Sequence, residues 1–135
     1  MRTLAAGLLL AVAGNALSDD AMPAPLAGAR GDPARGRAIV ASRQTGLCLL
    51  CHSAPIPEER FQGTIGPDLG GIAGRLSEGQ IRQRIVDPAK LNPATVMPAY
   101  FRSDDLNRVA PSFQGKTILS AGQIEDVVAY LMTLK

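Results

Sequence analysis

The residues best suited to chemistry lie in one short stretch, Cys48-Leu49-Leu50-Cys51-His52. Two thiols three positions apart lie on one turn of the chain, so each can bond one vinyl group of the same porphyrin. The adjacent imidazole then faces the iron. This C-x-x-C-H pattern is typical of c-type haem attachment. The sequence therefore predicts one covalently bound haem c, with Cys48 and Cys51 as attachment residues and His52 as the proximal iron ligand.

Other uses of paired cysteines fit the sequence less well. A thioredoxin-like redox pair lies beside a βαβ pattern, of which the sequence gives no sign. A zinc site needs about four ligands, and the motif holds the only two cysteines and the only histidine of the chain. A disulfide within the motif would close too short a loop to stabilise the fold much.

The iron needs a second axial ligand, and with one histidine in the chain a bis-histidine site is excluded. The sulfur candidates are Met22, Met97 and Met132. Met132 falls on the last predicted helix and Met22 in a stretch before the motif, and methionines of this kind usually fill gaps in a core. Two prolines bracket Met97, which stiffens the segment and prevents a helix. We therefore predict Met97 as the distal ligand, and a His/Met pair raises the reduction potential.

The stretch Gly63-Thr64-Ile65-Gly66-Pro67 follows the haem motif. Glycine lets the backbone approach the porphyrin closely, and a carbonyl in this stretch can accept the free N–H of His52. Gly66 and Pro67 are therefore predicted haem contacts, with an ordinary surface turn as the alternative. Arg75 is a candidate partner for a haem propionate, and its alternative is a solvated surface arginine.

The elements that position these residues are predicted to be helical. Asp32-Pro33 is a helix N-cap followed by proline, and this helix is expected to run to about Arg43. Ser77–Gln80 and Ser120–Gln123 are capping boxes, and helical apolar spacing follows each of them. No run shows strand alternation. The prediction is an all-α fold of a few short helices and long loops, which in a compact domain favours wrapping around a bound group.

The chain divides into three parts. A positive start, a short apolar run and small residues make residues 1–18 a predicted signal peptide, cleaved within about residues 16–20. The alternative, a membrane anchor, is disfavoured because the run is too short to span a bilayer. Residues 19–31, rich in Ala and Pro, are a predicted extended N-terminal segment. Residues 32–135 are the predicted monohaem domain, in a periplasmic protein with no membrane span after cleavage.

Composition supports a prosthetic group and excludes some partners. Aromatic residues make only 4% of the chain, although they usually anchor small cores, so the chain without haem is expected to be at best partly folded. The net charge is +2 and the basic residues are scattered, which disfavours nucleic-acid binding.

The order helix, CLLCH, GTIGPDLGGIAGR, helix, VMPAY, helix resembles class I cytochromes c over residues 32–135. The stretches RIVDPAKLNPATVMPAY and LSAGQIEDVVAYLMTLK are similar to the SoxX family, the small monohaem subunits of SoxAX cytochromes. This resemblance places the haem-attachment residues at Cys48 and Cys51 and the axial ligands at His52 and Met97. It implies no catalytic residue in this chain.

The SoxX resemblance implies a periplasmic heterodimer with a SoxA-like catalytic haem subunit. That complex, an L-cysteine S-thiosulfotransferase, couples thiosulfate oxidatively to a carrier-protein cysteine, and the SoxX subunit relays electrons to a soluble cytochrome c. The alternatives are a free electron shuttle, a haem-based gas sensor with an open distal site and a secreted thiol protein without haem. The few lysines, Lys90, Lys116 and Lys135, disfavour a shuttle that docks through a lysine ring.

Overall fold

The computed structural model describes residues 19–135, so the predicted signal peptide lies outside the described residues. Three α-helices are present over this range: α1 Pro33–Ala41, α2 Glu78–Val86 and α3 Ala121–Leu131. Short 3₁₀ turns lie at Cys48–Leu50, Ile72–Gly74, Pro88–Lys90 and Pro111–Phe113. Residues 19–135 contain no β-strand, and the predicted all-α class is confirmed. None of the helices in that part of the chain has the length and apolar character needed to cross a membrane.

The three helices begin where their capping residues predict. The carboxylate of Asp32 accepts a hydrogen bond from the backbone N–H of Arg35 at 2.9 Å, and proline occupies the first turn of α1. Complete capping boxes precede α2 and α3 at Ser77 and Ser120. The predicted end of α1 near Arg43 lies in the turn after the helix, because the backbone is already extended at Ser42.

Helix α1 crosses α3 at close range, and glycine permits the crossing. A Cβ atom on Gly36 would overlap the carbonyl oxygen of Asp126, so only glycine allows the two backbones to meet. The Asp126 carboxylate also accepts hydrogen bonds from the Arg35 guanidinium at 2.8 Å and from the Asp32 N–H at 2.7 Å. The first and last helices of the domain are thus joined by backbone contact and by charge.

The apolar faces of α2 and α3 build one core together with residues from the loops. The predicted apolar positions of both helices are buried, among them Ile81, Ile85, Val86, Ile124, Val127, Val128 and Leu131. Leu49, Tyr100 and Leu119, which lie outside the three α-helices, join the same cluster. The core therefore reaches both the cysteine motif and the segment that follows Met97.

A buried ion pair fastens the N-terminal segment to the helices. Arg82 is 0% exposed and Glu125 is 2% exposed, and the two side chains meet at 2.9 Å. Arg82 also donates to the carbonyl oxygen of Met22 at 2.7 Å, and Glu125 accepts from the N–H of Leu26 at 2.9 Å. Residues 19–31 are therefore tied to α2 and α3 through their backbone, which their Ala/Pro-rich composition does not indicate.

Candidate haem site

The cysteine motif forms a tight turn. A left-handed residue, Leu47, precedes the 3₁₀ turn Cys48–Leu50, and the backbone N–H groups of Cys51 and His52 both donate to the carbonyl oxygen of Cys48. Cys48 and Cys51 are free thiols, and neither is fully buried. Leu49, only 2% exposed, anchors the turn in the core. The turn thus holds two partly buried free thiols three positions apart, the spacing that attachment to one porphyrin requires.

The imidazole of His52 is fixed by the loop that follows the motif. Its Nδ1 atom lies 2.7 Å from the carbonyl oxygen of Pro67. A carbonyl only accepts hydrogen bonds, so Nδ1 carries the proton and Nε2 keeps its lone pair for a metal. A Cβ on Gly66 would overlap the imidazole ring, so glycine is needed beside the ring. The structure thus brings Gly66 and Pro67 against His52, and their contact with haem stays a prediction.

The same loop is braced by a second set of contacts. The Ser53 hydroxyl donates to the Asp68 carboxylate, and this hydrogen bond lowers the pKa of Asp68. Arg75 donates to the carbonyl oxygens of Gly70 at 2.7 Å and of Asp68 at 2.8 Å. Arg75 therefore supports the loop that holds His52, and the propionate contact predicted for it stays a prediction.

Met97 lies on a non-helical segment, in agreement with the two prolines around it. Its side chain is partly buried and packs against the core, and its backbone N–H donates to the Thr95 hydroxyl at 3.2 Å. The other two candidate methionines lie elsewhere in the fold. Met22 is hydrogen-bonded to Gly79 at the start of α2, and Met132 caps the end of α3.

Tyr100, which the sequence analysis does not single out, lies between the two ligand segments. Its hydroxyl donates to the carbonyl oxygen of Gly46 at 2.6 Å, and burial raises the pKa of Tyr100, so this donor stays protonated. The Cys48 thiol donates to the same carbonyl at 3.4 Å. Burial raises the pKa of that thiol to about 11. The sequence offers one signal for Tyr100. It is one of only two tyrosines in the chain, and it lies three residues after Met97.

The residues present fit a haem. Two large apolar side chains next to site residues are exposed: Ile65, adjacent to Gly66, is 74% exposed, and Val96, adjacent to Met97, is 81% exposed. A porphyrin bound between these two segments would cover apolar surface of this kind. Within the described part of the chain, no group of three or more His, Cys, Asp or Glu residues is arranged to hold a metal ion directly.

A solved structure shares the fold. A chain in the crystal structure of SoxXA from P. pantotrophus superposes with a TM-score of 0.80 and is 38% identical, over 87% of this chain and 92% of that chain. This chain belongs to the SoxX family. The SoxX resemblance and the class I cytochrome c fold are therefore confirmed. Protein-family models give no match to the chain, and neither do curated protein sequences.

In this SoxX-family chain the predicted site residues form two groups. Cys48, Cys51 and His52 share one turn, and the loop at Gly66–Pro67 is hydrogen-bonded to it, since the Gly66 N–H donates to the Cys51 carbonyl at 2.8 Å. Met97 belongs to a separate segment between α2 and α3. The residues of the first group are close together in the sequence and contact each other directly. Met97, the second group, is connected to them through the hydrophobic core.

Proposed function

We propose that this chain is the electron-transfer haem c subunit of a periplasmic heterodimeric cytochrome complex. In that complex, thiosulfate is coupled oxidatively to a cysteine of a carrier protein. The similarity to the SoxXA structure along 87% of the chain is the observation that carries this proposal. The partner is a SoxA-like catalytic haem subunit, and the electron acceptor is a soluble cytochrome c. Cleavage after the predicted signal peptide, residues 1–18, leaves the protein in the periplasm.

One haem c would be held by four side chains of this chain. Cys48 and Cys51 supply the sulfurs of two thioethers, His52 the proximal nitrogen and Met97 the distal sulfur. The bound group supplies one-electron exchange between ferric and ferrous iron. The surrounding residues orient the ligands: the carbonyl of Pro67 holds the imidazole proton at Nδ1, and the prolines around Met97 keep its segment out of a helix.

The proposed division of labour rests on the family resemblance. Joining a thiosulfate sulfur to the carrier-protein cysteine removes the thiol proton and two electrons. The SoxX resemblance implies that the catalytic cysteine belongs to the partner subunit, and both cysteines of this chain are assigned to haem attachment. The proposed role of this chain is to pass the two electrons on, one at a time.

A pull-down from thiosulfate-grown cells tests the cofactor and the partner together. The matured protein is purified, separated on a denaturing gel and stained for haem. We expect haem stain at the size of this chain and at a second, copurifying polypeptide. Haem stain at this chain alone would favour a free shuttle and overturn the complex. An unstained chain would overturn the haem site itself.

Spectroscopy of two methionine variants tests the distal ligand. Met97→Ala is expected to lose the weak far-red band that sulfur ligation gives to ferric haem, and carbon monoxide should then bind the reduced protein readily. Met132→Ala, also a partly buried methionine packed on the core, is the matched control and should keep the band. A band that survives Met97→Ala would overturn the assignment of Met97.

A further inference from the structure

Tyr100 connects the methionine segment to the haem-attachment turn. The hydroxyl of this 5%-exposed side chain donates to the carbonyl oxygen of Gly46 at 2.6 Å, across 54 positions of sequence. Gly46 lies two residues before Cys48, and Met97 lies three residues before Tyr100. One hydrogen bond therefore spans the two segments that carry the thioether sulfurs and the distal ligand.

Both ends of this hydrogen bond are rigidly held. At one end, a Cβ on Gly46 would overlap the Ile39 carbonyl oxygen, so the backbone at Gly46 lies directly against α1. At the other end, the Tyr100 N–H donates to the Ile85 carbonyl and the Tyr100 carbonyl accepts from the Leu119 N–H, each at 3.1 Å. The hydroxyl therefore joins two fixed parts of the core.

Met97 has little freedom relative to Tyr100. Three residues span at most about 10–11 Å of chain, and Pro98 fixes one backbone angle within that span. Upstream, the turn in which the Thr95 N–H donates to the Asn92 carbonyl at 3.0 Å restrains the other side. The position of Tyr100 relative to the attachment turn therefore limits where the Met97 sulfur can lie.

After haem attachment, Tyr100 would be the remaining one of two side-chain donors to the Gly46 carbonyl. Before attachment, the Gly46 carbonyl accepts from the Cys48 thiol at 3.4 Å as well as from Tyr100. Thioether formation would add the S–H bond of Cys48 across the vinyl double bond, with the sulfur on one carbon and the hydrogen on the other, so the Cys48 sulfur would no longer donate. Of these two donors, only the Tyr100 hydroxyl then remains.

We infer that Tyr100 is a positioning residue for the distal ligand, and that its hydrogen bond to the Gly46 carbonyl holds the Met97 sulfur in place on the iron. This inference rests on the proposed haem site with His52 and Met97 as ligands. It goes further, because it assigns the stability of the methionine–iron bond to a residue that is not itself one of the proposed ligands.

The test compares holoprotein variants in their affinity for imidazole, which competes with methionine for ferric iron. Tyr100→Phe keeps the ring in the core and removes only the hydroxyl. We expect imidazole to bind this variant about three- to tenfold more tightly than the wild type, the range given by one lost neutral hydrogen bond. Tyr130→Phe, the same change at the other tyrosine, which is also 5% exposed, should stay within about twofold of the wild type.

A double-mutant cycle separates positioning from general loosening. In a Met97→Ala background the distal ligand is already gone, so adding Tyr100→Phe should leave the imidazole affinity unchanged. Equal affinities for Tyr100→Phe and Tyr130→Phe would overturn the inference, and so would an equal gain in the presence and absence of Met97. A wild-type holoprotein without the sulfur-ligation band would overturn the proposed ligand set, and the inference with it.

Discussion

The protonated Nδ1 atom of His52 lies 2.7 Å from the carbonyl oxygen of Pro67. This contact leaves Nε2 as the only ring nitrogen that can bind iron, and it fixes the plane of the imidazole. Hydrogen bonding at the far nitrogen also raises the basicity of a ligating imidazole. The proximal ligand is thus oriented by backbone, on a loop that Arg75 and Asp68 brace.

Gly66→Ala tests how closely this loop fits the imidazole. The added Cβ overlaps the His52 ring, so the ring or the loop must move, and overpacking of this kind costs about 1–3 kcal/mol. We expect a lower unfolding midpoint of the holoprotein in urea and an altered haem spectrum. Gly74→Ala, where a Cβ meets nothing within 4 Å, is the control. Equal midpoints for the two variants would contradict the prediction.

Glu125→Gln tests the buried ion pair beneath the N-terminal segment. Glu125→Gln leaves Arg82, which is 0% exposed, with Glu78 at 2.7 Å as its remaining ion-pair partner, so the free energy of unfolding should fall by about 1–3 kcal/mol. Glu58→Gln breaks an exposed pair with Arg37 and should change the stability much less, because solvent screens such pairs. Urea unfolding of both holoproteins measures the difference.

A second variant separates the charge from the packing at the same place. Arg82→Met combined with Glu125→Leu replaces the pair by apolar side chains of similar size, and such replacements are often close to neutral. We expect it to recover most of the stability that Glu125→Gln loses. A double variant as unstable as the single one would mean that the contacts to Met22 and Leu26, and not the charge balance, hold the segment.

We predict that protonation of Asp126 lowers the stability of the folded chain in acid. The hydrogen bond from Arg35 lowers the pKa of Asp126, so the folded chain releases this proton more readily than the unfolded chain does. The stabilisation is therefore complete above the ordinary carboxyl pKa of about 4 and is lost as the pH falls through the lower, folded value. Asp126→Asn should flatten this dependence in urea unfolding between about pH 6 and pH 3. Parallel curves for the two proteins would contradict the prediction.

The chain without haem is expected to lose native helicity. A porphyrin buries more apolar area than one aromatic side chain, itself about 150–250 Å², and at about 25 cal/mol per Å² this stabilises the fold by several kcal/mol. Cys48→Ala with Cys51→Ala should therefore show a reduced far-UV circular dichroism signal. Cys48→Ala alone keeps one thioether and should keep its helices. A native far-UV circular dichroism spectrum from the double variant would contradict this prediction.

The features that the sequence predicts well are local. Asp32, Ser77 and Ser120 mark their helix starts correctly because a cap and its partner lie within one turn. The cysteine motif predicts haem attachment for the same reason, because Cys48, Cys51 and His52 lie within one turn of the chain. By contrast, Tyr100 and Gly46 are 54 positions apart, and nothing in the sequence near either of them indicates the other.

Apolar periodicity also fails to predict which charged residues are buried. The apolar spacing of α2 singles out Ile81, Ile85 and Val86, which are buried as expected. Arg82 lies outside that pattern and is nevertheless fully buried, because Glu78 one turn away on α2 and Glu125 on α3 both pair with it. The i,i+4 spacing of Glu78 and Arg82 indicates the local pair, whereas only the packing of α2 against α3 brings Glu125 to the same guanidinium.

The N-terminal segment of the domain is hydrogen-bonded to its last helix, and this arrangement affects the order in which the domain folds. The backbone N–H groups of Leu26 and Asp32 donate to Glu125 and Asp126 across 99 and 94 positions, so these contacts form only after α3 has been synthesised. Long-range closure of this kind slows folding. During that delay the CLLCH turn lies in a chain whose two ends are not yet joined.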